Sequence, residues 1–327
     1  MNSAIILALI LHWKDADLTF RSVASLVLQK KVPMDIMVVD NSSEKNSLLP
    51  LIQSFPDVRF AHNGKNIGVA SGRNMGIHFA IEHGYKYILL LDNDAFATPD
   101  MLLNLLNAAE RNPNVGVFGP KILKDDDSKT IWKAGCRSWK WAYLHSGYAL
   151  LLTILKLFGK NPPGILNAFP GQDQSDFGQH DTERDIVFQI GCAQFIRTEV
   201  FKQIGLLDEE FSPYGGEDID FCERTKKAGW RILYVPKARC FHRIMGSYRD
   251  DYLRTFYNTR NSLLLARKHL PALYFWLLFF PDYLFLTFPL MVLKLRITRL
   301  DKSLKAFLDA IKWNIDDIRY RGLFITK

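Results

Sequence analysis

The chain has no CxxC pair: its four cysteines, Cys136, Cys192, Cys222 and Cys240, are scattered. That excludes a zinc ribbon and a dithiol redox centre, and leaves reduced thiols in a cytoplasmic protein as the simplest account. The opening AIILALIL (4–11) lacks a basic leader before it and a small-residue cleavage site after it. It therefore reads as a buried first strand rather than a signal segment. Internal repeats and low-complexity tracts are absent too. Excess positive charge is missing from most of the chain. From Arg243 to Lys327 there are 15 Lys/Arg against 7 Asp/Glu, so the whole net charge of +8 lies in that tail. The balanced remainder offers no basic face to a nucleic acid. A basic tail suits an anionic lipid surface, although a solvated charged face is the plainer reading. What is present is ordinary for a folded protein, with 48% hydrophobic and 23% charged residues.

Through the first 120 residues, short apolar runs alternate with helical stretches. AIILALIL, DIMVVDNSS (35–43), VRFAHNG (58–64) and YKYILLLDND (85–94) read as strands, with ASGRNMGIHFAIEHG (70–84) as a helix between the last two. That alternation predicts a parallel sheet covered on both faces, with ligands gathered at the carboxyl ends of its strands. Asp40 and Asp92 stand at such ends.

LLLDNDAFATPD (89–100) poses the central question, because Asp92 and Asp94 would repel each other across Asn93. Capping does not explain them, since Thr98, Pro99 and Asp100 form a helix start of their own. A hard divalent cation takes oxygen ligands and often binds through one or two carboxylates plus a substrate's phosphates. Companions strengthen this reading. NGKNIGVASGRN supplies Asn66, a turn glycine Gly68, and Arg73 opening a helix; helix starts and arginine both favour phosphate. GGEDID supplies Glu217, Asp218 and Asp220, of which one can act as a general base while others cap the helix. His242 closes a late strand and is either structural or a metal ligand. Taken singly, each has a plain alternative as turn, surface charge or cap.

VVDNSS, NGKNIGVASGRN, LLLDND, the run from IGCAQF through GGEDIDFCERTKKAGWRILYVP, and His242 occur in one order. Over about residues 4–262 this set resembles family 2 glycosyltransferases, especially bacterial rhamnosyltransferase-like members that build cell-surface polysaccharide. The resemblance implies a GT-A fold, a Rossmann-like mixed α/β sheet flanked by helices, in a catalytic domain of residues 1–245. It implies a nucleoside-diphosphate sugar donor, dTDP-rhamnose or a UDP-sugar, a glycan acceptor joined to polyprenol, and Mg2+ or Mn2+. It also implies roles: Asp40, Asn66, Gly68 and Arg73 on the donor side, Asp92 at the ribose or donor sugar, Asp94 and His242 on the metal. Asp218 would be the base, with Glu217 its rival, and Arg260 in YNTRN would steady the phosphates. His12-Trp13 stands where the family often has Tyr-Asn, a departure that touches base recognition. A sugar nucleotidyltransferase would need a basic, Gly-rich loop near the first strand, which ILHWKDADLT lacks. A non-catalytic nucleotide-sugar-binding scaffold remains the other alternative.

Residues 136–185 read as an insertion that shapes the acceptor side or touches a membrane, or else packs on the core. The C-terminal extension, 246–327, is expected to be helical and membrane-associating. It holds an apolar hairpin at 271–293, broken by Pro281 and Pro289, that lies on the membrane or re-enters it rather than spans. An amphipathic helix at 301–321 follows, with Leu304, Phe307, Leu308, Ile311, Ile315 and Ile318 on its apolar stripe.

Overall fold

The computed structural model describes residues 5–44, 48–137, 169–213, 215–244, 250–287 and 300–320. Of the expected insertion, residues 138–168 lie outside the described residues, as do 288–299, which include Pro289. The chain forms two units, one of residues 1–138 with 169–244, the other containing 245–327.

The first unit is built on one mixed sheet. Its strands are β1 Ile6–His12, β2 Asp35–Asp40, β3 Arg59–His62, β4 Tyr87–Asp92, β5 Ala95–Ala97, β6 Val115–Lys124, β7 Thr130–Lys133, β8 Gln174–Ser175, β9 Arg184–Asp185, β10 Ala193–Arg197 and β11 Arg231–His242. The main order is β3-β2-β1-β4-β10-β6-β11-β5. β1 to β4 are parallel, as the alternation predicts. β10 enters antiparallel between β4 and β6, so the sheet is mixed. Every residue of β1 is buried, as expected for a central strand with helices on both faces. Those helices are α1 Ala16–Val27, α2 Leu49–Ser54, α3 Val69–Glu82, α4 Met101–Arg111, α5 Thr198–Ile204 and α6 Glu217–Lys227.

Register carries the acids to one edge. Leu11 pairs with Asp92 on one side of β1 and His12 with Asp40 on the other, so both carboxylates emerge at the same sheet margin. The short β5 then pairs antiparallel with the end of β11, placing His242 opposite Ala95. Thr98 does not cap α4. Its hydroxyl donates to the Arg239 carbonyl (2.8 Å), and the helix starts at Met101 with no side-chain cap. The long-range bond to the neighbouring strand wins over the local one.

In the second unit, α7 spans Asp251–His269 and α8 spans Leu300–Tyr320. Asp250 caps α7 by accepting from the amides of Tyr252 and Leu253. The two helices are joined by Tyr252 Oη to Asp309 (2.7 Å), by Arg267 to Asp317 and by Asn314 to the Arg260 carbonyl (3.3 Å). The apolar stripe expected on α8 is only in part the face that is buried: Phe307 is buried, and Ile311 and Ile315 are half-buried. Ser303, Ala306, Phe307, Ala310 and Asn314 are buried, whereas Leu304 and Leu308 are exposed. Small side chains let two helix backbones approach closely, and that selects the inward face. No break occurs at Pro281 either: residues 272–287 form a continuous helical run, with wider π-type turns at Phe275–Phe279 and Tyr283–Thr287. A turn with more residues eases the clash between a proline ring and the preceding turn. A hairpin is therefore not seen over the described part of 271–293. Among the described residues, no helix is long and apolar enough to cross a membrane.

Candidate active site

Asp92, Asp94 and His242 offer ligand atoms that all lie within 4.8 Å of one another. Nε2 of His242 is 3.2 Å from Asp94, and the imidazole is stacked on Trp132 with ring centroids 4.3 Å apart. The backbone explains the meeting: the Arg243 amide donates to the Asp94 carbonyl (2.9 Å) as β11 runs out beside β5. Two carboxylates and one imidazole at this spacing fit a divalent cation of the Mn2+ kind. Nδ1 of His242 is buried without a hydrogen-bond partner among the described residues, so its ring is held by stacking rather than by a second hydrogen bond.

Arg73 is the hub of the site, and it is not presented to solvent. It is 3% exposed; Nη2 donates to Asp92 and to the Gly191 carbonyl (2.9 Å), and Nη1 lies 3.7 Å from Glu217. A guanidinium in such a place offsets acids that would otherwise be buried alone, and losing one partner of a buried pair costs about 3–5 kcal/mol. Arg73 thus contacts the acids of the site directly. Loss of hydration raises the Asp92 carboxyl above the ordinary range, Asp94 adds to the rise, and Arg73 opposes it.

Tertiary structure sorts the three acids of GGEDID. Asp220 is fully buried and takes Nε of Arg224 (2.8 Å), while Arg224 also holds the carbonyls of Ile204 and Leu206, so this acid is structural. Glu217 is buried between Arg73 and the Gly215 amide (2.8 Å). Asp218 is only partly buried; one oxygen accepts from the Gly191 amide (2.8 Å) and the other from the Ile219 amide (2.8 Å). Burial raises both carboxyls, and the proximity of Asp218 raises Glu217 further. Of the two candidates for a base, Asp218 has the open side. Gly191 permits the arrangement, because a Cβ there would come within 3.1 Å of Arg73 Nη1 and 3.4 Å of Asp218.

On the far side of β1, Asp40 is nearly buried. It accepts from the Ser42 amide (2.8 Å) and pairs with His62 Nδ1 (2.8 Å), and His12 Nε2 stands 3.9 Å away. Burial keeps His12 below its usual value, hence neutral, with Nδ1 on Thr19 Oγ1 (2.7 Å). Asn66 and Gly68 shape the next loop. Asn66 Oδ1 accepts from Asn41 Nδ2 (3.0 Å) and from the Gly68 amide (2.9 Å). Gly68 has a φ of 90°, and a Cβ there would lie 2.6 Å from Ser212 Oγ, so only glycine fits. Arg260 belongs to the second unit, where it bonds Asn261 (2.8 Å) and lies over Trp313. Burial pushes the Cys192, Cys222 and Cys240 thiols up, which keeps them unreactive.

Sequence reasoning passed over Asn41, His62, Gly191 and Trp132. Asn41 had a local signal, being polar and next to Asp40 at a strand end; it ties the Asn63–Gly68 loop through four hydrogen bonds. Gly191 and Trp132 had none, since their partners are distant in the chain.

Residues 13–205 match glycosyl transferase family 2. The chain belongs to that family. Residues 182–246 also match the N-terminal domain of galactosyltransferase, the segment that contributes Gly191, Asp218 and His242. Among curated relatives, an N-acetylglucosaminyl-diphospho-decaprenol L-rhamnosyltransferase of Mycobacterium tuberculosis is 27% identical over 230 residues, covering 68% of this chain and 70% of that protein. A dTDP-rhamnosyl transferase RfbF of Shigella flexneri is 24% identical, covering 73% of each. Solved structures give the fold. GalNAc-T7 with UDP, GalNAc and Mn2+ superposes with a TM-score of 0.61 at 17% identity, over 97% of this chain and 58% of that one. The mannosyltransferase PcManGT of Pyrobaculum calidifontis, with GDP-Man and Mn2+, gives 0.53 at 13% identity, over 94% and 75%. The protein is thus a bacterial-rhamnosyltransferase-like glycosyltransferase with a GT-A-like mixed α/β fold.

Proposed function

We propose that this glycosyltransferase moves a sugar, rhamnose from dTDP-rhamnose or a sugar from a UDP donor, to a hydroxyl of a lipid-linked glycan, inverting the anomeric carbon. One observation carries the reading. Arg73 touches Asp92 at the acid–imidazole cluster and Gly191 beside Asp218, so a candidate base lies one guanidinium away from a candidate diphosphate site. In this reading Asp94 and His242 hold Mn2+ or Mg2+, and Asp92 faces the ribose or donor sugar. When bound, the ion would supply positive charge against the negative charge that develops on the leaving diphosphate. Asp218 takes the proton of the attacking hydroxyl. Asp40, kept in place by Ser42 and His62, receives the nucleoside, and the Asn66–Gly68 loop frames it. Arg260 remains a candidate for steadying the phosphates. Both rhamnosyltransferase relatives support a rhamnosyl donor, and the mycobacterial relative's name supports a polyprenol-diphosphate acceptor.

Titration of the purified protein with UDP-, dTDP- and GDP-sugars, with and without Mn2+, tests the donor. Calorimetry is expected to show Mn2+-dependent binding of the dTDP-sugar; silence across the panel would overturn the reading. The second unit supports a place at the cytoplasmic membrane face. Leu273, Leu277, Leu278 and Phe285 are exposed, Leu304 and Leu308 with them, in the part of the chain that holds the net positive charge. Co-sedimentation with anionic vesicles and not with neutral ones is the expected result, and equal recovery without vesicles would refute it.

A further inference from the structure

Three lysines stand on the strand pair β6 and β7, and two of them are paired with carboxylates. Lys121 is held by Asp176 (2.9 Å) and Asp181, and Lys124 by Asp173 (2.8 Å). Lys133 differs. It is 9% exposed, and among the described residues no carboxylate lies within salt-bridge distance of it. Its Nζ donates to Gln172 Oε1 (2.6 Å) and sits 3.5 Å from the centre of the Phe169 ring. An amide oxygen and a ring face satisfy part of an ammonium and neutralise none of it. Asp173 acts on the amine only from beyond salt-bridge distance and is already paired with Lys124. A nearly buried cation so weakly balanced is costly, and an anionic ligand lowers that cost.

Topology places this amine at the working margin of the sheet. β11 occupies one edge of β6 along its length, so β10 and β7 must share the other. β10 pairs there with Val117 and Phe118, and β7 takes over at Ile122 and Leu123, towards the carboxyl end of β6. Along β7, alternate residues face opposite ways. Trp132 covers His242, which turns Lys133 away from the acid–imidazole cluster. Its electrostatic neighbours are Cys136, Asp173 and Cys192, and Asp173 is itself paired with Lys124 (2.8 Å). Cys136 bridges to Phe188, and Cys192 adjoins Gly191, whose amide holds Asp218. Lys133 therefore borders the 188–192 loop that carries the candidate base.

We infer that Lys133, with Gln172 and the face of Phe169, forms an acceptor subsite for an anionic group, the diphosphate that joins the acceptor sugar to its lipid. This rests on the transfer reaction proposed above. Burial brings the amine down to about 8, so most of it is still charged at neutral pH. Gln172 is positioned for the role because its segment is laid along β7: the Asp173 amide donates to the Ile131 carbonyl (2.9 Å) and the Asp176 amide to that of Lys129 (2.7 Å).

Lys133→Met keeps the length and apolar stem of the side chain and removes its charge. Initial rates would be measured with a short polyprenol-diphosphate-linked acceptor and with the same sugar as a neutral alkyl glycoside. The expected result is that kcat/KM falls at least ~10-fold further for the diphosphate acceptor than for the glycoside, as loss of a charge-assisted bond implies, with the donor KM unmoved. Lys133→Arg should restore most of that difference. Equal losses on both acceptors, with a lowered melting temperature, would reduce Lys133 to a structural role. A raised donor KM would move the anion to the donor side and overturn the inference. Wild-type protein inactive on both acceptors would defeat the transfer reading itself, which keeps the two failures apart.

Discussion

Asp218→Asn is expected to lower kcat by about 100- to 10,000-fold, the usual scale of lost base catalysis, while the donor still binds. The substitution costs the fold about one hydrogen bond, because the asparagine NH2 faces one of the two backbone amides. The Gly191 and Ile219 amides donate to the two carboxylate oxygens, and an asparagine keeps one acceptor oxygen for them. Asn cannot take a proton from an attacking hydroxyl. The wild-type pH profile gives a second readout. A base must be unprotonated, and burial raises Asp218 above the ordinary aspartate range. Activity should therefore fall away on the acid side at a higher pH than a solvent-exposed aspartate would give. Single-turnover rates and donor titration decide it. Retention of most of kcat in Asp218→Asn would transfer the role to Glu217, or end the base assignment.

Asp94→Ala is expected to lower Mn2+-stimulated kcat/KM at least ~100-fold, and to leave a residual rate that no longer responds to the metal. The fold should survive, because the contact that pins Asp94 beside β11 is made by its backbone carbonyl with the Arg243 amide. The side chain, by contrast, faces His242 Nε2 and shares the cluster with Asp92. Its removal takes away one of three ligand groups. Calorimetry of Mn2+ with nucleoside diphosphate, compared with wild type, separates lost metal binding from a general collapse. Full metal-dependent turnover in the variant would disprove the ligand assignment.

These two sites differ in how far the chain itself reveals them. YILLLD announces a central strand by apolar residues on both faces, and Asp92 by the place where that run ends. The pair Asp92–Asp94 is legible because like charges so close to a core call for a partner. His242 becomes that partner only through the antiparallel register of β5 on β11, and β5 is three residues long with no distinguishing pattern. In GGEDID the sequence offers three acids without rank. Arg224 claims Asp220 and Arg73 claims Glu217, which leaves Asp218 partly open. Arg73 reads as a polar residue near a helix start, yet its neighbours Gly191 and Glu217 come from the other half of the unit.

In the second unit the stripe on α8 misleads at Leu304 and Leu308, though not at Phe307, for a related reason. Hydrophobic spacing locates a helix and says which residues prefer to leave water, but close packing favours Ala306, Ala310 and Ser303 over Leu304 and Leu308. Local periodicity and strand-end chemistry by themselves determined the parallel half of the sheet, the helices around it and the carboxylates at its margin. They could do so because those signals lie within a few residues of one another. Only the tertiary structure decided which acid is neutralised, which is held open, which imidazole joins the pair, and that no carboxylate among the described residues comes within salt-bridge distance of Lys133. Each of those depends on charge meeting charge across strands and helices far apart in the chain, where no local spacing records the encounter.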